Sequence, residues 1–248
     1  MTLPRILLGC PTCDLKEDSL EHYLKGIESL TYPSFDVLIE DNSKTPAYAQ
    51  RIQEWGKEWM KKNPGRTFRV IHSGYTDEHA RERVVRGRNK IREVALKETY
   101  DYFFSLEQDV VPPPTIIESL LATQKSIVSG VYFSKKFTPT EKKYQFMAGI
   151  PAGPIQQTPN GAGVAMKPIG IEFLFPTRAA EVMYAGLGCM LIAREALEKT
   201  PFRYEPAHQA WDDVFFCIDS RMKGIPTFLH TGMLATHHYN DAMQRTKQ

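Results

Sequence analysis

The segment from Tyr102 to Pro114 reads Y-F-F-S-L-E-Q-D-V-V-P-P-P, and no other stretch restricts the fold as tightly. An apolar, strand-forming run stops at two carboxylates, Glu107 and Asp109, and the prolines that follow forbid the strand to continue. Ending a buried strand in carboxylates is costly unless a cation or a hydrogen-bonding ligand meets them. In a parallel α/β sheet, ligands dock at the carboxyl ends of the strands. The pattern therefore predicts a site for a hard metal ion carrying a phosphorylated ligand.

Strand-like and helical patterns alternate through the first half. Arg5–Gly9, Asp36–Glu40, Phe68–His72, Tyr102–Leu106 and Ser126–Phe133 read as strands. Between the first two, Asp14 and Glu17 form a predicted capping box, and Leu20, Leu24 and Ile27 line one helical face. Pro46–Lys62 carries Ile52, Trp55 and Trp59 at helical spacing, Glu78–Glu98 is a basic helix, and Pro113–Thr123 is a further helix. This rhythm predicts a three-layer α/β/α domain around a mostly parallel sheet. After Phe133 the rhythm stops. Gly149–Gly170 is crowded with Gly and Pro and reads as a flexible loop over the site. Glu181–Ala193 reads as one strand containing Gly186-Leu187-Gly188, Asp212–Lys223 as a helix and Gly224–Leu229 as a strand. No internal repeat or linker divides the 248 residues, so a single domain is expected.

A net charge of +2 is too small by itself to imply a nucleic-acid or membrane partner. No run approaches the roughly 18 apolar residues of a membrane span, so the expected compartment is the cytosol, with peripheral membrane contact left open. Nucleic acid remains only as a candidate acceptor. Four cysteines, Cys10, Cys13, Cys189 and Cys217, suit reduced thiols better than a disulfide framework. Cys10-Pro11-Thr12-Cys13 also fits a redox motif between a strand and a helix.

Three polar clusters fall at the ends of three strands: Pro11-Thr12, Asp41-Asn42-Ser43 and Glu107-Gln108-Asp109. Parallel neighbouring strands would gather all three at one crevice. On the residues alone, Asp41-Asn42-Ser43 also reads as a turn, Asp212-Asp213 as helix N-capping, and His237-His238 as a surface tail. In their order along the chain, these motifs resemble those of GT-A nucleotide-sugar glycosyltransferases, most of all the inverting family 2. The likeness spans I-L-L-G-C-P-T, I-E-D-N-S, Arg88-Asn89 in G-R-N-K-I, F-F-S-L-E-Q-D-V-V-P-P in the place of a D-x-D strand end, G-L-G-C-M-L-I-A-R-E-A-L, and W-D-D-V-F-F-C-I-D-S-R-M-K-G.

That resemblance implies a Rossmann-like GT-A domain, with residues 1–133 holding the nucleotide sugar and 134–248 supplying the acceptor side. It implies that Asp41 contacts the base or ribose, aided by Pro11, Thr12 and Arg88. Gln108 would line the same donor site. Asp109 would hold Mn²⁺ or Mg²⁺ on the diphosphate, with Glu107 at the first acidic place and His237 or His238 completing the shell. Asp213 would be the general base, with Asp212 beside it. The donor would be a UDP-sugar, with a GDP-sugar the other candidate, and the acceptor a glycan or other hydroxyl. Arg88 would turn to the ligand, leaving most other arginines of its helix in solvent. Three rivals stay open: a thiol redox protein using Cys10 and Cys13, a nucleotidyltransferase, and a non-catalytic sugar-nucleotide binder on the same fold.

Overall fold

Eight strands form the central sheet: β1 (Ile6–Thr12), β2 (Phe35–Asp41), β3 (Phe68–His72), β4 (Tyr102–Leu106), β5 (Ile127–Val131), β6 (Ala179–Val182), β7 (Cys189–Ala193) and β8 (Thr227–Leu234). The computed structural model describes residues 3–75, 77, 79–137, 142–153, 156–158, 161–163 and 165–238. Across the sheet the order is β6-β8-β5-β7-β4-β1-β2-β3. Six strands run the same way; β7 is antiparallel to both β4 and β5, and β6 to β8.

The expected three layers are present. Alternate side chains of each strand feed two cores. Ile6, Leu8, Val37, Ile39 and Phe104 pack with α1 (Glu17–Glu28), α2 (Ala47–Lys62) and α4 (Ile116–Ala122). Leu7, Leu38, Phe103 and Ile192 pack against α3 (Ala80–Lys97), α5 (Arg194–Lys199) and α6 (Asp212–Met222) on the other face. Burial on both faces explains why β1, β2 and β4 read as continuous apolar runs rather than alternating ones.

Four expectations are corrected. The capping box does not form: Asp14 opens a 3-10 turn over Asp14–Lys16, its N–H goes to Ser43 Oγ (2.8 Å), and Lys16 caps α1 without a side-chain bond. The strand expected over Glu181–Ala193 is broken at Gly186-Leu187-Gly188. The phenol of Tyr132 sits 2.0 and 2.7 Å from where Cβ atoms would stand on Gly186 and Gly188, so only glycine lets the chain pass. The segment read as a loop over 149–170 contains paired strands, Ala148–Pro151 with Met166–Pro168 and Gln156–Thr158 with Gly161–Gly163. Residues 154, 155, 159, 160 and 164 of that segment lie outside the described residues. Finally, the arginines of α3 are not mostly in solvent. Arg83 and Arg88 are buried, while Arg81 and Arg92 donate to carbonyls of His208, Ala210, Leu197 and Glu198. Guanidinium donors there satisfy backbone carbonyls around α5 and in the loop leading to α6.

Candidate active site

The three polar clusters meet. Thr12 stands opposite Asp41 in the β1–β2 register, and Asn42 N–H donates to Thr12 O (2.9 Å). Thr12 Oγ1 donates in turn to Gln108 Oε1, joining β1 to the end of β4. Gln108 is 1% exposed, and its amide is fully engaged. Tyr48 hydroxyl donates to its Oε1 (2.9 Å), and its Nε2 reaches Lys16 O (2.6 Å) and Tyr48 Oη (2.6 Å). The side chain between the two acids thus points inward and pins the strand end to the turn before α1.

Arg88 is the hub of the site. It is 0% exposed, and its guanidinium donates to Asp212 Oδ2 (2.8 Å), Glu107 Oε1 (2.9 Å) and Ser105 Oγ (2.6 Å). The Ser105 hydroxyl passes on to Leu187 O (2.6 Å), inside the glycine segment whose Gly188 O accepts from Glu107 N (3.1 Å). One guanidinium therefore fixes the end of β4 to the start of α6. A buried cation with two carboxylates and a hydroxyl is well compensated, and removing it strands both acids. The fork is already filled by protein groups.

Asp109 is in the opposite condition. Its Oδ2 faces Lys16 Nζ (2.9 Å) and His237 Nε2 (3.5 Å), while Oδ1 is shut from solvent and accepts no hydrogen bond among the described residues. Burial alone would raise its pKa, but Lys16 and His237 outweigh it and hold the carboxyl well below its usual range. His237 Nδ1 lies 2.7 Å from Phe133 O, which can only accept, so Nδ1 carries a proton; burial would lower the pKa of the ring, but Asp109 beside Nε2 outweighs it and raises it. His238 points elsewhere, as neighbours along an extended chain must: its ring stacks on His22 at 4.3 Å, and only its N–H reaches Asp109 O (2.7 Å). Of the two histidines, His237 faces the acid.

Asp213 lies in the first turn of α6, next to Asp212, and the N-cap residue Trp211 makes no side-chain cap. The capping role open to both aspartates on sequence is thus taken by neither in the ordinary way. Asp212 binds Arg88, and among the described residues Asp213 Oδ1 accepts only Val214 N–H (2.8 Å). Burial and then the adjacent Asp212 push the Asp213 carboxyl up to about 7. Two consecutive carboxylates are thereby sorted, one ion-paired and one poised to exchange a proton near neutrality.

Asp41 is 0% exposed and engaged at both oxygens, by Ser43 Oγ (2.5 Å) and by His72 Nδ1 (2.7 Å). Pro11 and Glu40 pack on Gly87 of α3, where a Cβ would come within 2.2 Å of Glu40 Oε2 and 2.8 Å of Pro11 Cβ. Gly87 is therefore a close-approach residue that seats α3, and with it Arg88, against the strand ends. Sequence reasoning missed Lys16, His72 and Tyr132. A lysine before a helix and a histidine closing a strand carry no signal without knowing what they face. The redox reading fails on Cys10, which is buried against the Tyr23 hydroxyl (3.3 Å) with its thiol pushed up to about 12 by burial, the reverse of an activated thiolate. Cys13 is a free thiol as well.

The architecture has a solved counterpart. The chain superposes on GalNAc-T7, crystallised with UDP, GalNAc and Mn²⁺, at a TM-score of 0.61 and 11% identity, over 96% of this chain and 44% of that one. The fold is GT-A-like. The chain spans less than half the length of GalNAc-T7. A197 from STIV also aligns, at a TM-score of 0.44 and 18% identity, over 95% of this chain and 86% of that one. No family model matches the chain, and no curated protein matches it either. No helix among the described residues is long and apolar enough to cross a membrane.

Proposed function

We propose that this chain is an inverting glycosyltransferase that moves a sugar from a nucleoside-diphosphate donor, a UDP-sugar first among them, to a hydroxyl of a glycan or similar acceptor. The observation that carries the reading is Asp213. It is a buried carboxyl with a pKa of about 7, placed one residue from the Arg88-bound Asp212 at the edge of the strand ends. The motif order shared with family 2 and the GT-A-like fold support the same assignment.

In this mechanism Asp213, ionised above about pH 7, takes the proton of the acceptor hydroxyl as its oxygen bonds to the anomeric carbon. The bond from that carbon to the diphosphate oxygen breaks on the opposite face, and the nucleoside diphosphate leaves with the electron pair. Arg88 acts as a positioning residue: its three hydrogen bonds hold Glu107 and Asp212 still, so that Asp213 and the end of β4 keep a fixed relation. Asp41 positions His72, whose side chain is 27% exposed, as the group offered to the base or ribose.

The donor set at Asp109 fits a divalent ion. Its Oδ1 is a buried acceptor that receives no hydrogen bond among the described residues, and His237 Nε2 lies 3.5 Å from the other oxygen, where it would serve as a second ligand. Among the described residues no group of three His, Cys, Asp or Glu side chains can hold a metal unaided. Two protein ligands are nonetheless enough for Mn²⁺ or Mg²⁺, which complete their shells with phosphate oxygens and water. When bound there, the ion would act as a Lewis acid toward the charge developing on the leaving diphosphate.

A thermal-shift panel of nucleoside diphosphates, with and without Mn²⁺, tests the proposal. A ligand held at about 100 times its Kd stabilises the native state by about 2.7 kcal/mol, so the matching diphosphate raises Tm by several degrees. No shift from any nucleoside diphosphate, in either condition, contradicts it.

A further inference from the structure

Lys16 has no part in the reaction as described, yet it stands where a cation is needed. Its Nζ lies 2.9 Å from Asp109 Oδ2, and the side chain keeps 30% of its surface exposed. The turn beneath it is fixed on three sides. Lys16 N–H donates to Cys13 O (3.0 Å), and Lys16 O accepts from Gln108 Nε2 (2.6 Å) and Ser19 Oγ (2.8 Å). Gln108, sitting between the two acids in sequence, thus ties the acid pair to the backbone of the lysine that faces it. A lysine serving only as a solvated surface charge has no need of such an anchor.

We infer that Lys16 is the resident cation of this site: its ammonium neutralises Asp109 before the donor arrives, competes with a divalent ion for that carboxylate, and turns to the diphosphate oxygens when they enter. The diphosphate part of this inference rests on the glycosyl-transfer reading. Three features carry it. Arg88 already occupies Glu107, so Lys16 and His237 are the groups that meet the Asp109 carboxylate. A divalent ion on Asp109 would set two positive centres against one carboxylate, and their repulsion drives the weaker-held one off. Arg88 cannot yield, being locked by three hydrogen bonds, whereas an ammonium on a flexible four-carbon stem can swing to a new anion.

The test uses Mn²⁺ alone and UDP alone on the full chain. Mn²⁺ binding is followed by electron paramagnetic resonance without nucleotide, and UDP binding by calorimetry without metal, in wild type, Lys16→Met, Lys16→Gln and Lys16→Arg. Lys16→Met and Lys16→Gln are expected to bind free Mn²⁺ about tenfold tighter and metal-free UDP about tenfold weaker than wild type. Lys16→Arg, which keeps the charge, should stay near wild type in both. Thermal unfolding of each variant separates a packing defect from the charge effect, and agreement between Met and Gln guards against it a second time. Unchanged Mn²⁺ affinity in both neutral variants overturns the competition, and unchanged UDP affinity overturns the diphosphate role; either result leaves glycosyl transfer standing. Failure of wild type to bind UDP, GDP or any other nucleoside diphosphate, with or without Mn²⁺, instead removes the parent reading, and the diphosphate role of Lys16 with it.

Discussion

At two places in this molecule a pair of carboxylates sits close in sequence, Glu107 with Asp109 and Asp212 with Asp213, and within each pair the fates diverge. Glu107 and Asp212 share the buried guanidinium of Arg88, whereas Asp109 and Asp213, one or two positions along, keep an unpartnered oxygen and a proton affinity near neutrality respectively. The difference teaches that a single buried cation can sort acids by what it can reach. Those it binds become scaffold, and those just beyond it are left able to meet a ligand or a proton. The same arginine thereby builds the site and decides which acids are free to act.

The contrast is sharpened first by Asp213→Asn. If Asp213 is the base, this change removes general-base assistance and lowers donor-to-acceptor turnover by about 10²–10⁴-fold, with circular dichroism unchanged. A loss below tenfold, measured with the diphosphate that stabilises wild type, breaks the distinction. Arg88→Met comes next. It leaves the buried Asp212 and the partly exposed Glu107 without their cation and should cost about 3–5 kcal/mol in urea unfolding. A cost under 1 kcal/mol would mean that Arg88 is not the scaffold cation.

A smaller effect follows from the sign of the Asp213 shift. Its folded pKa of about 7 stands above an unfolded value of about 3.9, so between these limits the native state holds a proton that the unfolded chain has lost. The ionised form therefore costs stability as pH rises through this window, fully above about 7 and not at all below about 4. Asp213→Asn should consequently be more stable than wild type by about 1–3 kcal/mol at pH 8, and equal to it near pH 4. Equal unfolding midpoints at both pH values would place Asp213 among the ordinary carboxylates.

The two halves of the chain differ in how readily they were read. Tyr102–Leu106 and Phe68–His72 are legible to the residue, β2 to within one residue at each end and β1 to within three; for β1, β2 and β4 the reason is that parallel strands buried on both faces announce themselves as unbroken apolar runs. The second half turns on tertiary events. The break in Glu181–Ala193 depends on the Tyr132 phenol, and the strand pairs within 149–170 on partners that hydrophobic periodicity does not reveal. At the site, the acids were placed by the abrupt end of β4 and by the motif order. Which acids are satisfied was not visible, since it depends on an Arg88–Asp212 bond spanning 124 positions. Gln108 illustrates the limit: it was grouped with the donor-binding residues, but its amide is consumed in the interior, and its contribution is the anchoring of Lys16.

The most direct test of the account is the rate of nucleoside-diphosphate release from the matching donor sugar, measured with saturating acceptor from pH 5 to pH 9. A single ionisation at about pH 7 is expected, with the rate falling about tenfold per unit below it as Asp213 takes up its proton. A rate that is level across that range, or that breaks only near the ordinary carboxylate value of about 4, would contradict the assignment of Asp213 as the base.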